Sequence, residues 1–164
     1  MRHLTRRSGT RGLTLIELMI GLAITAMLAV TAGPFYADYI ANSRLREAGN
    51  ALFAESMFAQ SEAIKRNARV QVNVTGAAVQ TLDMTASVAG TEIRTITLPA
   101  PVQAAAAATF TFGSDGRPAP FGTSVSVNLV APGQTCSSDR RCPGLRIDAG
   151  GAVRLCGDHQ VSCP

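Results

Sequence analysis

The chain has 164 residues, of which 46% are hydrophobic and 5% aromatic, with no Trp and a net charge of +4. That length suits one folded domain with an appendage, and so few aromatics exclude an extensive base-stacking platform for single-stranded nucleic acid. The charge is no argument for nucleic acid either: Arg2, Arg6, Arg7 and Arg11 carry it, and without them eleven basic residues face eleven acidic ones.

In chain order, the first predicted element is a basic leader, residues 1–12. Such a flank stays on the cytoplasmic side during membrane insertion. Residues 13–33 are apolar apart from Glu17 and a few hydroxyls. As a helix this run is about 31 Å long, the thickness of a bilayer hydrocarbon core. A carboxylate at mid-membrane costs about 2.5–3.5 kcal/mol and less near an end, so Glu17 requires a reason. A secretory signal peptide cut near Val30, Thr31 and Ala32 accounts poorly for an apolar run this long with Glu17 inside it. A plain membrane anchor leaves Glu17 unexplained.

The string Gly12-Leu13-Thr14-Leu15-Ile16-Glu17 is similar to the prepilin processing site of type IV pilins and type II secretion pseudopilins. The resemblance implies cleavage between Gly12 and Leu13 by the prepilin peptidase/methylase, then methylation of the new N-terminus. Leu13 stands where the family usually has Phe. Glu17 would neutralise the N-terminal amine of a neighbouring subunit, which fits the rule that a carboxylate in apolar surroundings needs a cation. Pro34 falls where these helices often carry a proline and bend.

The helical pattern continues beyond Pro34 to about Asn67. Leu45, Leu52, Phe53, Met57 and Ile64 fall on one face of it, with Arg46 an intruder. Arg44, Glu47, Glu55, Glu62 and Lys65 fall on the other. This predicts an amphipathic helix packed on a head domain, with Glu62 and Arg66 paired at i,i+4. From Arg69 the period changes to two, as in half-buried strands. Strands are predicted around Val70, Val72 and Val74, then at 79–83, 92–98, 109–112, 124–130, 145–148 and 153–156, with Gly and Pro between them. The organisation is therefore leader 1–12, transmembrane helix 13–34, amphipathic helix 35–67 and β-rich head 68–164. The fold class is α+β: a long N-terminal helix on an antiparallel sheet with a disulfide-linked tail.

The tail holds all four cysteines, Cys136, Cys142, Cys156 and Cys163. Their spacing does not match the paired ligands of a zinc ribbon, and an even number in a chain that enters the membrane predicts disulfides. The last two strands form a hairpin. If Asp148 faces Ala152, Arg146 faces Arg154, while Leu145, Ile147, Val153 and Leu155 share the apolar face. This register favours a nested pairing, Cys142 with Cys156 and Cys136 with Cys163, over the sequential one. Adjacent arginines repel unless an anion sits between them, and Asp148 is expected to neutralise Arg146 in part.

The head resembles the GspH/FimT family of minor pilins and pseudopilins. The resemblance rests on Phe112-Gly113-Ser114-Asp115-Gly116-Arg117-Pro118 and on a late strand pair ending in Gly-x-x-Arg-x-Cys, here residues 151–156. It implies a pilin-like fold and a minor subunit that assembles into, initiates or caps a type IV pilus or a type II secretion pseudopilus. The implied partners are other major and minor pilins or pseudopilins and an inner-membrane assembly platform. The implied location is the bacterial inner membrane with the head in the periplasm, then the filament. Some relatives bind DNA through Gly-Arg-x-Arg in the late hairpin. Here the matching residues 151–154 keep only the second arginine, so DNA is the alternative partner, through Arg140, Arg141, Arg146 and Arg154. No catalytic constellation, metal-ligand cluster or cofactor motif stands out, and the chain is not expected to be an enzyme.

Overall fold

The computed structural model describes residues 12–85, 90–161 and 163; of residues 32–35 it describes the backbone alone. Most of the leader and the side chain of Pro34 thus lie outside the described residues. Among the described residues a 52-residue helix, α1 (Leu15–Arg66), precedes nine strands. Contacts divide the chain into two compact units, Met1–Ala37 and Asp38–Pro164.

In the first unit, α1 begins with a cap of its own. The Thr14 hydroxyl accepts the Glu17 N–H at 3.3 Å and lies 3.5 Å from Glu17 Oε2. Thr-x-x-Glu is the spacing of a capping box; here Thr14 satisfies one N–H that the first helical turn leaves open, while the Glu17 carboxylate meets the Thr14 hydroxyl. The hydroxyls of Thr25 and Thr31 donate back to helix carbonyls, Thr25 to Gly21 O at 2.7 Å and Thr31 to Leu28 O at 3.0 Å. Both hydroxyls are thereby satisfied within the helix, as apolar surroundings demand. Among the described residues no single helix is long and apolar enough to cross a membrane. The segments Leu15–Thr31 and Tyr36–Arg66 reach that length and composition only when taken together.

In the second unit, the rest of α1 packs on two antiparallel sheets. One has the order β3-β2-β1-β5-β6, formed by β1 (Val70–Thr75), β2 (Ala78–Asp83), β3 (Thr91–Thr97), β5 (Ala108–Phe112) and β6 (Pro118–Ala119). The other has the order β4-β7-β8-β9, formed by β4 (Gln103–Ala104), β7 (Val125–Val130), β8 (Gly144–Ile147) and β9 (Val153–Cys156). The Ala104 N–H donates to Gly76 O at 2.8 Å and ties the sheets together. The helix ends in a Schellman turn. Asn67 takes φ 49°, its N–H reaches Ile64 O, and the Ala68 N–H reaches Ala63 O. Lys65 and Arg66 in the last turn suit the negative end of the helix dipole. The predicted strands are present, with Val70, Val72 and Val74 all buried.

The buried face of α1 differs from the expected one. Leu45, Ala48, Leu52, Ala59 and Ala63 are buried, but so are Glu55 and Glu62, while Met57 and Ile64 are 43% and 55% exposed. Small residues let the helix approach the sheet closely, and the two glutamates find partners there. Glu55 Oε1 accepts the Thr81 hydroxyl at 2.7 Å, and Oε2 lies 3.3 Å from Arg94 Nε. That second contact offsets the absence of a hydrogen bond to Oε2. Arg94 also lies over the Phe58 ring at 5.2 Å. Two turns beyond Glu55 lies Glu62, and Arg66 bridges it at 2.7 Å to Asp83 at 3.0 Å. Hydrogen bonds from Arg66 and Lys65 hold the Glu62 carboxyl below its ordinary pKa. Hydrogen bonds from the Thr85 hydroxyl and backbone, then from Arg66, do the same for Asp83. The predicted Glu62–Arg66 pair is present as one arm of a three-residue bridge.

Candidate assembly helix and head surface

Gly12 and Leu13 precede the capped start of α1, in non-helical backbone. From Leu13 the apolar side chains of the first unit are exposed all round: Leu15, Leu22, Met27 and Val30 are each more than two-thirds exposed. A helix apolar on every side is built for burial in other apolar matter, lipid or neighbouring helices. Glu17 is the one charge on that surface, and no cation among the described residues pairs with it. Its backbone role in the cap was missed in the sequence reading, although Thr14 at three residues' distance carries the signal.

On the head, two glycine turns meet at one side chain. Gln60 Nε2 donates to Gly116 O at 2.6 Å and to Gly151 O at 2.9 Å. Gly116 (φ 76°) belongs to the turn before β6, and Gly151 (φ 92°) to the β8–β9 hairpin. A Cβ on Gly151 would lie 2.7 Å from Gly116 O. The two stretches that carried the family resemblance are therefore neighbours, held by a helix residue that no sequence signal singled out.

The cysteine pairing is sequential: Cys136 with Cys142 and Cys156 with Cys163. This corrects the nested expectation. The hairpin register is as predicted, Arg146 opposite Arg154 and Leu145 opposite Leu155. Cys156, however, sits opposite Gly144, and Cys142 is engaged by its own loop. That loop docks on α1: Asn42 Nδ2 donates to Asp139 O at 2.7 Å, and Asn42 Oδ1 accepts the Arg141 N–H at 3.1 Å. The chain after β9 folds back instead, with the His159 N–H donating to Cys142 O at 2.7 Å.

The four tail arginines do not form one patch: Arg146 and Arg154 face each other on the hairpin, and Arg140 and Arg141 lie on the disulfide loop. Arg140 forms an ion pair with Asp38 at 2.5 Å and is largely covered. Arg146 donates to Asn128 Oδ1 at 2.8 Å and Leu145 O at 2.9 Å. Asp148 lies 3.5 Å from Arg154, not beside Arg146, and its other oxygen caps the hairpin by accepting the Gly150 and Ala152 N–H groups. Arg141 is exposed and lines a different cavity from Arg146 and Arg154.

A long helix with a bare apolar start, and a two-sheet head stapled near its C-terminus, define a pilin-like subunit. The family model of the type II transport protein GspH matches residues 48–158, and that of the prokaryotic N-terminal methylation motif matches residues 7–33. The chain belongs to the GspH family. The crystal structure of the type IV minor pilin FimU of Pseudomonas aeruginosa is similar with a TM-score of 0.59 at 19% identity, over 74% of this chain and 96% of FimU. The minor pseudopilin EpsH from the type 2 secretion system of Vibrio cholerae is similar with a TM-score of 0.56 at 16% identity, over 70% and 97%. At these identities the likeness is one of fold. The fimbrial protein EcpC of Eikenella corrodens is 55% identical over 40 residues, 24% of this chain and 26% of EcpC. The match thus spans about a quarter of that curated relative.

Proposed function

We propose that this chain is a minor pilin-like subunit, made as a single-pass inner-membrane precursor with a periplasmic head. It is cut between Gly12 and Leu13, methylated at Leu13, and assembled into, or used to initiate or cap, a type IV pilus or a type II secretion pseudopilus. Its partners are other pilins or pseudopilins, the prepilin peptidase/methylase and the inner-membrane assembly platform. The observation that carries this reading is the capped, wholly exposed apolar start of α1 with Glu17 as its one charge. Such a helix is stable in lipid, and it gains a cation for Glu17 when a neighbour's α-amine comes alongside in a filament. The role is structural, and no residue is assigned to catalysis.

Intact-mass measurement of membrane-derived protein tests the processing step. Loss of residues 1–12 with one added methyl group is expected, and cleavage near Ala32 would overturn it. Glu17→Ala is expected to leave processing intact and to reduce recovery in sheared filaments, and full recovery would remove the amine-pairing role. The alternative, DNA capture by tail arginines, has less support, because Arg140 and Arg146 engage groups of the head itself.

A further inference from the structure

We infer that the groove between α1 and β9 receives an extended, carboxylate-bearing segment of a different subunit in the filament, which adds as a strand to β9. The inference rests on the proposed assembly role and names where the head meets a neighbour. The groove is about 510 Å³ in volume, within the range of ligand sites, about 300–1,000 Å³. Tyr39, Ser43 and Arg46 of α1 form one wall, Leu155 of β9 the other, and Arg141 stands at the disulfide loop.

The backbone of β9 calls for an extended occupant. β9 is the terminal strand of its sheet. The Asp148 N–H donates to Ala152 O at 3.1 Å, so these two residues form a hydrogen-bonded pair. Strict alternation then gives hydrogen-bonded pairs at 146/154 and 144/156 and turns the N–H and C=O of Val153 and Leu155 outward. Among the described residues nothing pairs with that edge. An open edge is a template for an added strand, and side chains flanking it supply specificity.

The charges of the groove select a carboxylate. Among the described residues neither the Arg46 nor the Arg141 guanidinium has an ion-pair or hydrogen-bond partner, in contrast to the adjacent Arg140, which Asp38 occupies. Among the described residues that line the groove Asp139 is the one carboxylate, against Arg46 and Arg141. Arg141 is presented from a fixed backbone: the Cys136–Cys142 bond closes its loop and Asn42 holds its N–H. A preorganised arginine gives up less entropy on binding, and a guanidinium takes a carboxylate through two parallel hydrogen bonds. A nucleic acid or lipid phosphate would satisfy the arginines but not the open N–H and C=O groups of β9 or the apolar wall at Leu155.

The test uses the full-length protein in its own bacterium, with the photo-cross-linker p-benzoylphenylalanine at position 43 and, as control, at Phe121. Irradiation is expected to give an adduct from position 43 with another pilin-like subunit, through a peptide containing Asp or Glu. Arg46→Glu and Arg141→Glu are expected to lower its yield at least about tenfold. Both change exposed residues, and a melting temperature and disulfide content equal to the wild type would show that the head is folded. An unchanged yield in both variants would overturn the proposal. So would an adduct with lipid or nucleic acid, or with nothing but a second copy of this chain. Incorporation into filaments without an adduct at position 43 sinks the groove alone, whereas failure of the wild-type chain to enter any filament sinks the assembly role with it.

Discussion

At the scale of single residues, Gln60 and Gly151 carry more of the head than their types suggest. Gln60→Ala removes donors from two turn carbonyls, and a loss of about 1–3 kcal/mol is expected, read as a lower melting temperature. Gly151→Ala combines a positive φ with a Cβ placed against Gly116 O, and a loss of about 2 kcal/mol or more is expected in the same assay. The sequence showed glycines at both turns and nothing of Gln60, because what Gln60 touches lies 56 and 91 residues away. The arginines teach the converse. Four cations close in sequence read as one patch, yet Asp38, more than a hundred residues upstream of Arg140, removes one of them from the surface.

Among the elements, α1 shows how pattern and packing part company. A helical wheel assigns Glu55 and Glu62 to water because charge is normally solvated. Thr81 of β2 and Arg94 of β3 make the burial of Glu55 tolerable, and Arg66, tied to Asp83 of β2, does so for Glu62; of these only Arg66 is on the wheel. This bridge has a pH signature. Glu62 and Asp83 have folded pKa values below their ordinary ones, so the unfolded chain takes up protons first as pH falls. Their stabilisation is complete above the ordinary carboxylate range, about pH 4–5, and is lost as pH drops through the lowered values. Melting curves from pH 7 to pH 2 are expected to show this, and Arg66→Gln is expected to flatten the acid limb. In the tail, replacing Cys136 and Cys142 together by Ser opens a seven-residue loop. The expected cost is about 2 kcal/mol from loop closure, with faster hydrogen exchange at residues 137–141, which Asn42 and the Arg140–Asp38 pair would then hold.

For the whole molecule, the order of the helical and strand-forming stretches was legible in local pattern. The basic leader, the apolar run with Glu17, the change of period at Arg69 and the terminal cysteines are local signals. Each follows from neighbours within a few residues: solvation of charges, helical or strand periodicity, the backbone freedom of glycine. The late hairpin was legible to the level of register, because a short turn and strict alternation leave one arrangement with Leu145 and Ile147 inward. Tertiary structure alone decided the rest. It chose sequential disulfides, since the loop holding Cys136 and Cys142 docks on Asn42 and the chain after β9 turns back on Cys142. It buried two glutamates and freed Met57 and Ile64, and it paired Arg140 with Asp38 while leaving Arg146 and Arg154 face to face on the hairpin. In each case the deciding contact joins residues far apart in sequence, and such energies depend on distance in space, which no window along the chain contains.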